Sequence, residues 1–576
     1  MSLLLGGESM ANYKNHPTQA YADFREMLHA SAEKYGNKVF IRQKENNVWR
    51  AYTFGRFAKD VMALAAELTA RGLIEKKIVL LGENCYRWAV VYMAVVCAGG
   101  IIVPLDKNSK TEELSKIIDF CEADALFCSD EKAEMLNSLA KNVTCYPFSR
   151  IPTLIKSGQA RQTAEDAPHQ NTAFNPHAMS ILLFSPGQAG TPRGVMLSQH
   201  NICFNLREMC QMIYIGENDT FLSVLPLHHA YACTCGLLCA LYRGSCIAFC
   251  DDVRQMWRDI RRVGATVLLC VPIMTETLLR RLQKLVEQSG TQTSTRTIMK
   301  GASLLPTQRA RMIARQKMFA TLRQALVGEL RLVISGGSAA EPEVLKGLRE
   351  FGIDAYQGYG LSECSPLIAL HREHYYNDAS VGMATPNTLL DVCDVQEDGI
   401  GEIRCRGENV MIGYYKMPQL TQEVIKGGWF YTGDLGYLDD HGYLYVMGRR
   451  KNVIANSQGN NIFPEELENL LCRTPFVREA VVVGYFNDVR QDFDIVALLY
   501  PDREALREQL GDSYDERRLH VQMQKALTTV NGTVPPYKYI HHYLLRDEEF
   551  PKTPSRKIRR AGLAEAAKEE YLKLLK

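Results

Sequence analysis

Short apolar, β-branched runs recur along the first two thirds of the chain, separated by longer stretches in which apolar positions return at helical spacing. Lys77-Ile-Val-Leu-Leu81 precedes an apolar helix near Trp88, Ile101-Ile-Val103 follows it, and Leu114 to Cys121 leads into Ala123-Asp-Ala-Leu-Phe127. Strands alternating with helices predict parallel sheets, because a parallel pair needs a crossover long enough to hold a helix. The pattern returns at Thr220-Phe-Leu-Ser-Val-Leu225, Thr266-Val-Leu-Leu-Cys-Val271 and Leu330-Arg-Leu-Val-Ile-Ser335, so the chain up to about residue 390 reads as one large α/β body. Residues 275 to 328 are mostly charged and helical and carry no chemical signal.

From about residue 390 the texture changes to short strands and glycine turns, as in Gly401-Glu-Ile-Arg-Cys-Arg-Gly407 and Asp440-His-Gly-Tyr-Leu-Tyr-Val446. After Gly448 the sequence predicts a compact α+β tail. Phe463-Pro-Glu-Glu-Leu467 opens a helix with proline in its first turn and carboxylates facing the positive end of the dipole. Ala480 to Tyr485 and Asp494 to Tyr500 read as strands. We expect two domains, residues 10–449 and 450–576, with the boundary between Arg449 and Lys451.

Composition narrows the class. The 576 residues are 46% hydrophobic and 23% charged with a net charge of +2, which suits a soluble globular protein and predicts no nucleic-acid partner. Met1-Ser-Leu-Leu-Leu-Gly-Gly7 lacks the basic start of a secretory signal, and Met10 reads as the natural start. The apolar run from Trp88 to Leu105 is broken by Gly99-Gly100 and Pro104, so we expect a buried helix turning into a strand and no transmembrane segment. The 17 cysteines sit mostly in apolar segments without Cys-x-x-Cys spacing, which reads as reduced core thiols in a cytoplasmic protein.

The chemistry begins at Ser185-Pro-Gly-Gln-Ala-Gly-Thr-Pro-Arg-Gly-Val195, three glycines and an arginine after the apolar run Met179–Phe184. Backbone N–H groups in such a loop can cradle a phosphate. It is not a P-loop, since Val195 and not lysine follows Gly194, and it holds no G-x-G-x-x-G. Taken alone it reads as a turn. In order after it come Leu225-Pro-Leu-His-His229, Ser335-Gly-Gly337, Gly358-Tyr-Gly-Leu-Ser-Glu363, Tyr431-Thr-Gly-Asp434, Gly448-Arg449 and Pro551-Lys-Thr-Pro-Ser-Arg-Lys557. His228-His229 is a poor metal pair, because adjacent residues of an extended chain point apart and no third ligand accompanies them.

This order of motifs, from about residue 20 to residue 565, resembles the adenylate-forming superfamily of acyl-CoA synthetases, adenylation domains and luciferases. Arg449-Arg-Lys-Asn-Val-Ile454 with Asn461-Ile-Phe-Pro-Glu-Glu-Leu467 looks most like its long-chain fatty acyl-CoA synthetase branch. The resemblance implies an α/β fold: a large N-terminal body of two α/β subdomains plus a distorted β-barrel, and a small mobile α+β C-terminal domain pivoting at Lys451. It implies ATP, Mg2+ and CoA. Ser185, Gly187, Gln188, Gly190, Thr191 and Arg193 would bind pyrophosphate oxygens. Gly337, Ser338, Tyr359, Gly360 and Ser362 would form the adenine site, Glu363 would hold magnesium, and Asp434 and Arg449 would bind the ribose. His229 would lie beside the acyl carboxylate, Gly459 beside the pantetheine tunnel, and Lys557 would supply the cation for adenylation.

The family's first signature is T-S-G-T-T-G-x-P-K-G. Here Pro186, Gln188 and Ala189 replace hydroxyl residues and Arg193 replaces lysine, so the glycine frame and the charge remain while donors are lost. Leu225 to Ala232 contains no acid to pair with an α-ammonium, which favours a carboxylic acid without an amino group. The implied reaction is formation of acyl-AMP followed by a thioester with CoA. Loading of an acyl carrier protein, or nucleotide binding with little catalysis, are the alternatives.

Overall fold

The computed structural model describes residues 14–140, 143–162, 175–185, 192–288, 320–456, 461–511, 515–552 and 558–574. Two compact units emerge: the first comprises 1–391, 404–431 and 438–445, the second 392–403, 432–437 and 446–576. The chain crosses from one to the other within the strands Leu389–Cys393, Gly401–Arg406, Trp429–Leu438 and Leu444–Arg449 of a five-stranded sheet.

Two large sheets build the first unit. A seven-stranded sheet runs in the order Gly413–Tyr414, Arg193–Ser198, Met179–Ser185, Ile101–Leu105, Lys77–Leu81, Ala125–Cys128, Thr144–Pro147. Its last five strands are parallel, and the Arg193 and Gly413 strands are antiparallel additions. Strands buried on both faces need no polar side, which is why Ile78, Val79, Leu80 and Leu81 form an unbroken apolar run. The Tyr86–Cys97 helix covers them and buries all but one of its residues, as the break at Gly99-Gly100 predicts for a core helix.

The nine-stranded sheet has parallel central neighbours Asp354–Gly360, Leu332–Ser335, Val267–Cys270, Thr220–Ser223 and Cys246–Phe249. Between the sheets lies the Gln199–Met212 helix, whose start is fixed by a capping box of Ser198 and Asn201. Among the described residues no helix is long and apolar enough to cross a membrane. All 17 cysteines are free thiols, most of them buried.

The second unit is built on period-two alternation. The strands Val477–Asn487 and Asp492–Pro501 pair antiparallel, and His542–Leu545 adds parallel to the second. Ala480, Val482, Ile495, Ala497 and Leu499 face the helices Pro464–Cys472 and Glu516–Asn531. Val481, Val496 and Leu498 face the opposite way, against Leu563 and Tyr571 of the Leu563–Leu574 helix. Pro464 sits in the first turn of its helix with Glu465 and Glu466, as expected.

One buried charge weakens the second sheet of the larger unit. Asp354 opens the strand leading to Tyr359, is 9% exposed, and leaves Oδ1 without a hydrogen bond among the described residues. Burial, reinforced by Glu373 and opposed by Arg331, pushes its carboxyl from 3.8 up to about 6. A carboxyl raised on folding stabilises the fold below its unfolded value, and that contribution is lost as pH climbs through the folded one. Asp354→Asn should therefore raise the unfolding free energy at pH 7.5 by on the order of 2 kcal/mol, read as a higher urea midpoint, and flatten the decline in stability between about pH 4 and 6. Matching pH profiles for variant and wild type would show the carboxyl to be unperturbed.

Candidate active site

The parallel strands of the nine-stranded sheet deliver their carboxyl ends to one edge, the usual ligand crevice of an open α/β sheet. From there emerge Leu225–His229, Ser335–Ser338 and Gly358–Glu363. Gly336 N donates to Cys270 O at 3.0 Å, holding that turn against the neighbouring strand. A side chain at Gly336 would come within 2.9 Å of the Tyr231 ring, whose hydroxyl donates to Ile334 O at 2.8 Å. Gly337 has φ +89°; Ser338 after it is exposed, and Tyr359 on the neighbouring strand is half-buried.

Gly360 carries the tightest requirement. A Cβ there would lie 1.8 Å from Pro366 O, the same oxygen that accepts from Leu361 N at 2.9 Å. The folded-back segment presents Ser362–Cys364 as one helical turn.

Glu363 is held from a distant part of the sequence. Its Oε1 accepts from the Tyr414 hydroxyl at 2.9 Å and its backbone oxygen from Met411 N at 2.8 Å. Tyr414 lies on the short strand paired with the Arg193 strand, and the Arg193 guanidinium sits 5.4 Å from the centre of its ring. Burial first, and then the Glu363 carboxylate, push the Tyr414 phenol above its ordinary range, so it remains a donor. Ser185 pairs with Arg193 across the hairpin.

Arg193 and Glu363 thus flank one tyrosine that sequence reasoning missed, and the sequence around Gly413-Tyr414 carries no periodic signal that would have found it. Gly187, Gln188, Gly190, Thr191, Gly459 and Lys557 lie outside the described residues. So does the side chain of Ser185.

The histidines depart from expectation in one respect. His228 and His229 stand in a turn, closed by His229 N to Pro226 O at 3.2 Å, and not in an extended chain. Their rings consequently lie side by side, 4.2 Å between centres. Burial drives His228 well below the usual imidazole range, so it is neutral, with Nε2 unpartnered among the described residues. No cluster of three metal-ligating residues occurs among the described residues. The helix that follows widens into a π-helical turn at Cys233–Leu238.

In the second unit Asp434 and Arg449 meet. Arg449 Nε lies 2.7 Å from Asp434 Oδ1, with the carboxylate side chain 5% exposed and the guanidinium side chain 40%. Asp434 N donates to Thr432 Oγ1, and Gly433, with φ +71°, donates to Glu402, which also accepts from Arg450 at 2.6 Å. Lys451 is exposed in the helical turn Arg450–Asn452, and the next residue, Asn452, donates to Glu465 at 2.5 Å. An antiparallel bridge between Lys552 and Ile558 brackets the segment containing Lys557.

A glycine turn at the strand ends, a carboxylate beside an arginine strand and a separate aspartate–arginine pair stand where the motif order of the adenylate-forming enzymes falls in this sequence. Residues 28–415 match the family described as AMP-binding enzyme, and the chain belongs to it. It is 25% identical to the long-chain-fatty-acid–CoA ligase FadD15 of Mycobacterium bovis, over 92% of each chain. It is 24% identical to the long-chain-fatty-acid–[acyl-carrier-protein] ligase AEE15 of Arabidopsis thaliana, over 94% of this chain and 85% of that protein. The structure of ATP-bound MatB from Rhodopseudomonas palustris has the same fold, with a TM-score of 0.75, 22% identity and coverage of 96% and 99% of the two chains.

Gly360→Ala tests the folded-back turn. Its methyl has no space before Pro366 O, so the variant should lose about 2 kcal/mol or more of stability, read as a lower urea midpoint. An unchanged midpoint would mean that the turn opens freely.

Proposed function

We propose that the protein is an ATP-dependent ligase that converts a fatty carboxylic acid to acyl-AMP and then to its CoA thioester. The observation that carries this reading is the Glu363–Tyr414–Arg193 cluster, an acceptor and a cation set together where the glycine-rich segment leaves its strand. In the first step a carboxylate oxygen bonds to the α-phosphorus and the bond to pyrophosphate breaks. In the second the thiol sulfur bonds to the acyl carbon, AMP leaves, and the thiol proton is released.

Glu363 fits magnesium, because one oxygen is oriented by Tyr414 and Oε2 has no partner among the described residues. Magnesium, when bound, neutralises phosphate charge. Arg193 and the Ser185–Thr191 loop grip the terminal phosphates, Tyr359 with Gly337, Gly360, Ser338 and Ser362 takes the adenine, and Asp434 with Arg449 takes the ribose hydroxyls. His229 orients the acyl carboxylate, Lys557 offsets charge during adenylation, Gly459 borders the pantetheine path, and Lys451 is the pivot for residues 450–576. These roles rest on the motif resemblance together with the geometry above.

A carboxylic acid without an amino group is supported by Leu225 to Ala232, which contains no acid to pair with an α-ammonium. Free thiols throughout support a reducing, cytoplasmic location. A carrier-protein thiol is the second acceptor to consider, favoured by the likeness to AEE15.

Pyrophosphate release with a panel of acids, followed by thioester detection with CoA or with a phosphopantetheinylated carrier, tests the proposal. Fatty-acid-dependent release with CoA thioester is expected. Release completed only by the carrier would select the second acceptor, and no release with any acid would leave a nucleotide-binding protein. Lys557→Ala should lower acyl-AMP formation at least a hundredfold while thioester formation from supplied acyl-AMP stays within a few fold. Equal loss in both half-reactions would refute the assigned role.

A further inference from the structure

An open polar cleft lies in the larger unit, with a volume of about 490 Å³. Its walls are Phe204 and Arg207 from one face of the Gln199–Met212 helix, Asn387 and Leu389 from the segment entering the five-stranded sheet, and Arg406 and Gly428. None of these belongs to the site proposed for ATP and acid. The volume is in the range of small-ligand pockets, roughly 300–1,000 Å³.

The two guanidiniums give the cavity its chemistry. Arg207 lies over the Phe204 ring at 5.3 Å and reaches Glu208 at 3.2 Å. That carboxylate is fully buried and already accepts from Asn387 N at 2.5 Å and Asn387 Nδ2 at 2.8 Å, so Arg207 shares an acid whose oxygens are occupied. Arg406 has no carboxylate within ion-pair distance among the described residues. Its side chain runs along Gly428, where φ is +80° and a Cβ would stand 3.4 Å from Nε. The glycine leaves the guanidinium room to lie flat. Gly407 and Glu408 also line the cavity, and the Glu408 carboxylate is engaged by His200 at 2.7 Å.

Two guanidinium forks facing one cavity match an oxyanion bidentately, and phosphate best, since it offers oxygens to both. Leu389, 58% exposed, provides an apolar contact for the organic part. We infer that this cavity binds a phosphorylated small molecule of nucleotide size, at a site separate from the catalytic one.

Calorimetric titration with AMP tests this on wild type, Arg406→Ala and Leu389→Glu, two exposed positions whose replacement should leave the melting temperature and the acid-dependent pyrophosphate release unchanged. Wild type should bind one more AMP per chain than either variant, or hold the second AMP at least tenfold more tightly, and inorganic phosphate should compete for that site. Identical AMP isotherms for all three proteins overturn the inference. So does a second site that prefers succinate to phosphate. Because the readout is binding stoichiometry, failure here is distinguishable from absence of ligase activity.

Discussion

The contact on which the larger unit's candidate site depends is the approach of Pro366 O to the α-carbon of Gly360, closer than any side chain would tolerate. It folds the chain back after the last parallel strand, so that Tyr359 and Glu363 leave the sheet edge in a fixed relation. Glu363 is then placed for the Tyr414 hydroxyl, and through Tyr414 for the strand that carries Arg193. Three segments separated by roughly fifty and two hundred residues owe their arrangement to one missing Cβ. The same economy appears at Gly336, whose bare backbone lets the Tyr231 ring close over the neighbouring turn.

Strands were legible where burial on both faces demands unbroken apolar runs: Lys77–Leu81, Leu332–Ser335 and Val267–Cys270 lie where the pattern predicts them. The tail's helix at Pro464 was legible from its proline and carboxylates. Gly337 and Gly360 were visible only through the motif resemblance, and the structure supplies the reason for them, a positive φ at one and Pro366 O against the other. Tyr414 was not, because a buried tyrosine donating to a carboxylate leaves no periodic trace. Nor was the membership of 392–403 and 432–437 in the second compact unit, which depends on contacts between segments far apart in sequence. The histidine pair misled for a local reason: the argument that neighbours point apart holds for extended chain, and Pro226 puts these two into a turn.

The second unit shows how little sequence is needed when alternation is strict. Successive residues of Val477–Asn487 supply opposite faces of one sheet, and each face meets its own helices. Basic residues of the tail are drawn into this frame: Arg560 contacts Glu468, and Lys538 reaches Glu466 at 2.7 Å, both acids on the Pro464–Cys472 helix. Charge in the tail is therefore partly structural, which explains why a basic run by itself is an ambiguous signal.

The Asp434–Arg449 pair has a consequence for selectivity. A buried carboxylate left bare would welcome any passing ammonium or metal ion, whereas one already tied to a guanidinium gains little from a further cation. Its orientation was fixed when the chain folded, before any ligand arrives. The pair therefore discriminates by charge, turning away small cations that a bare buried carboxylate would hold.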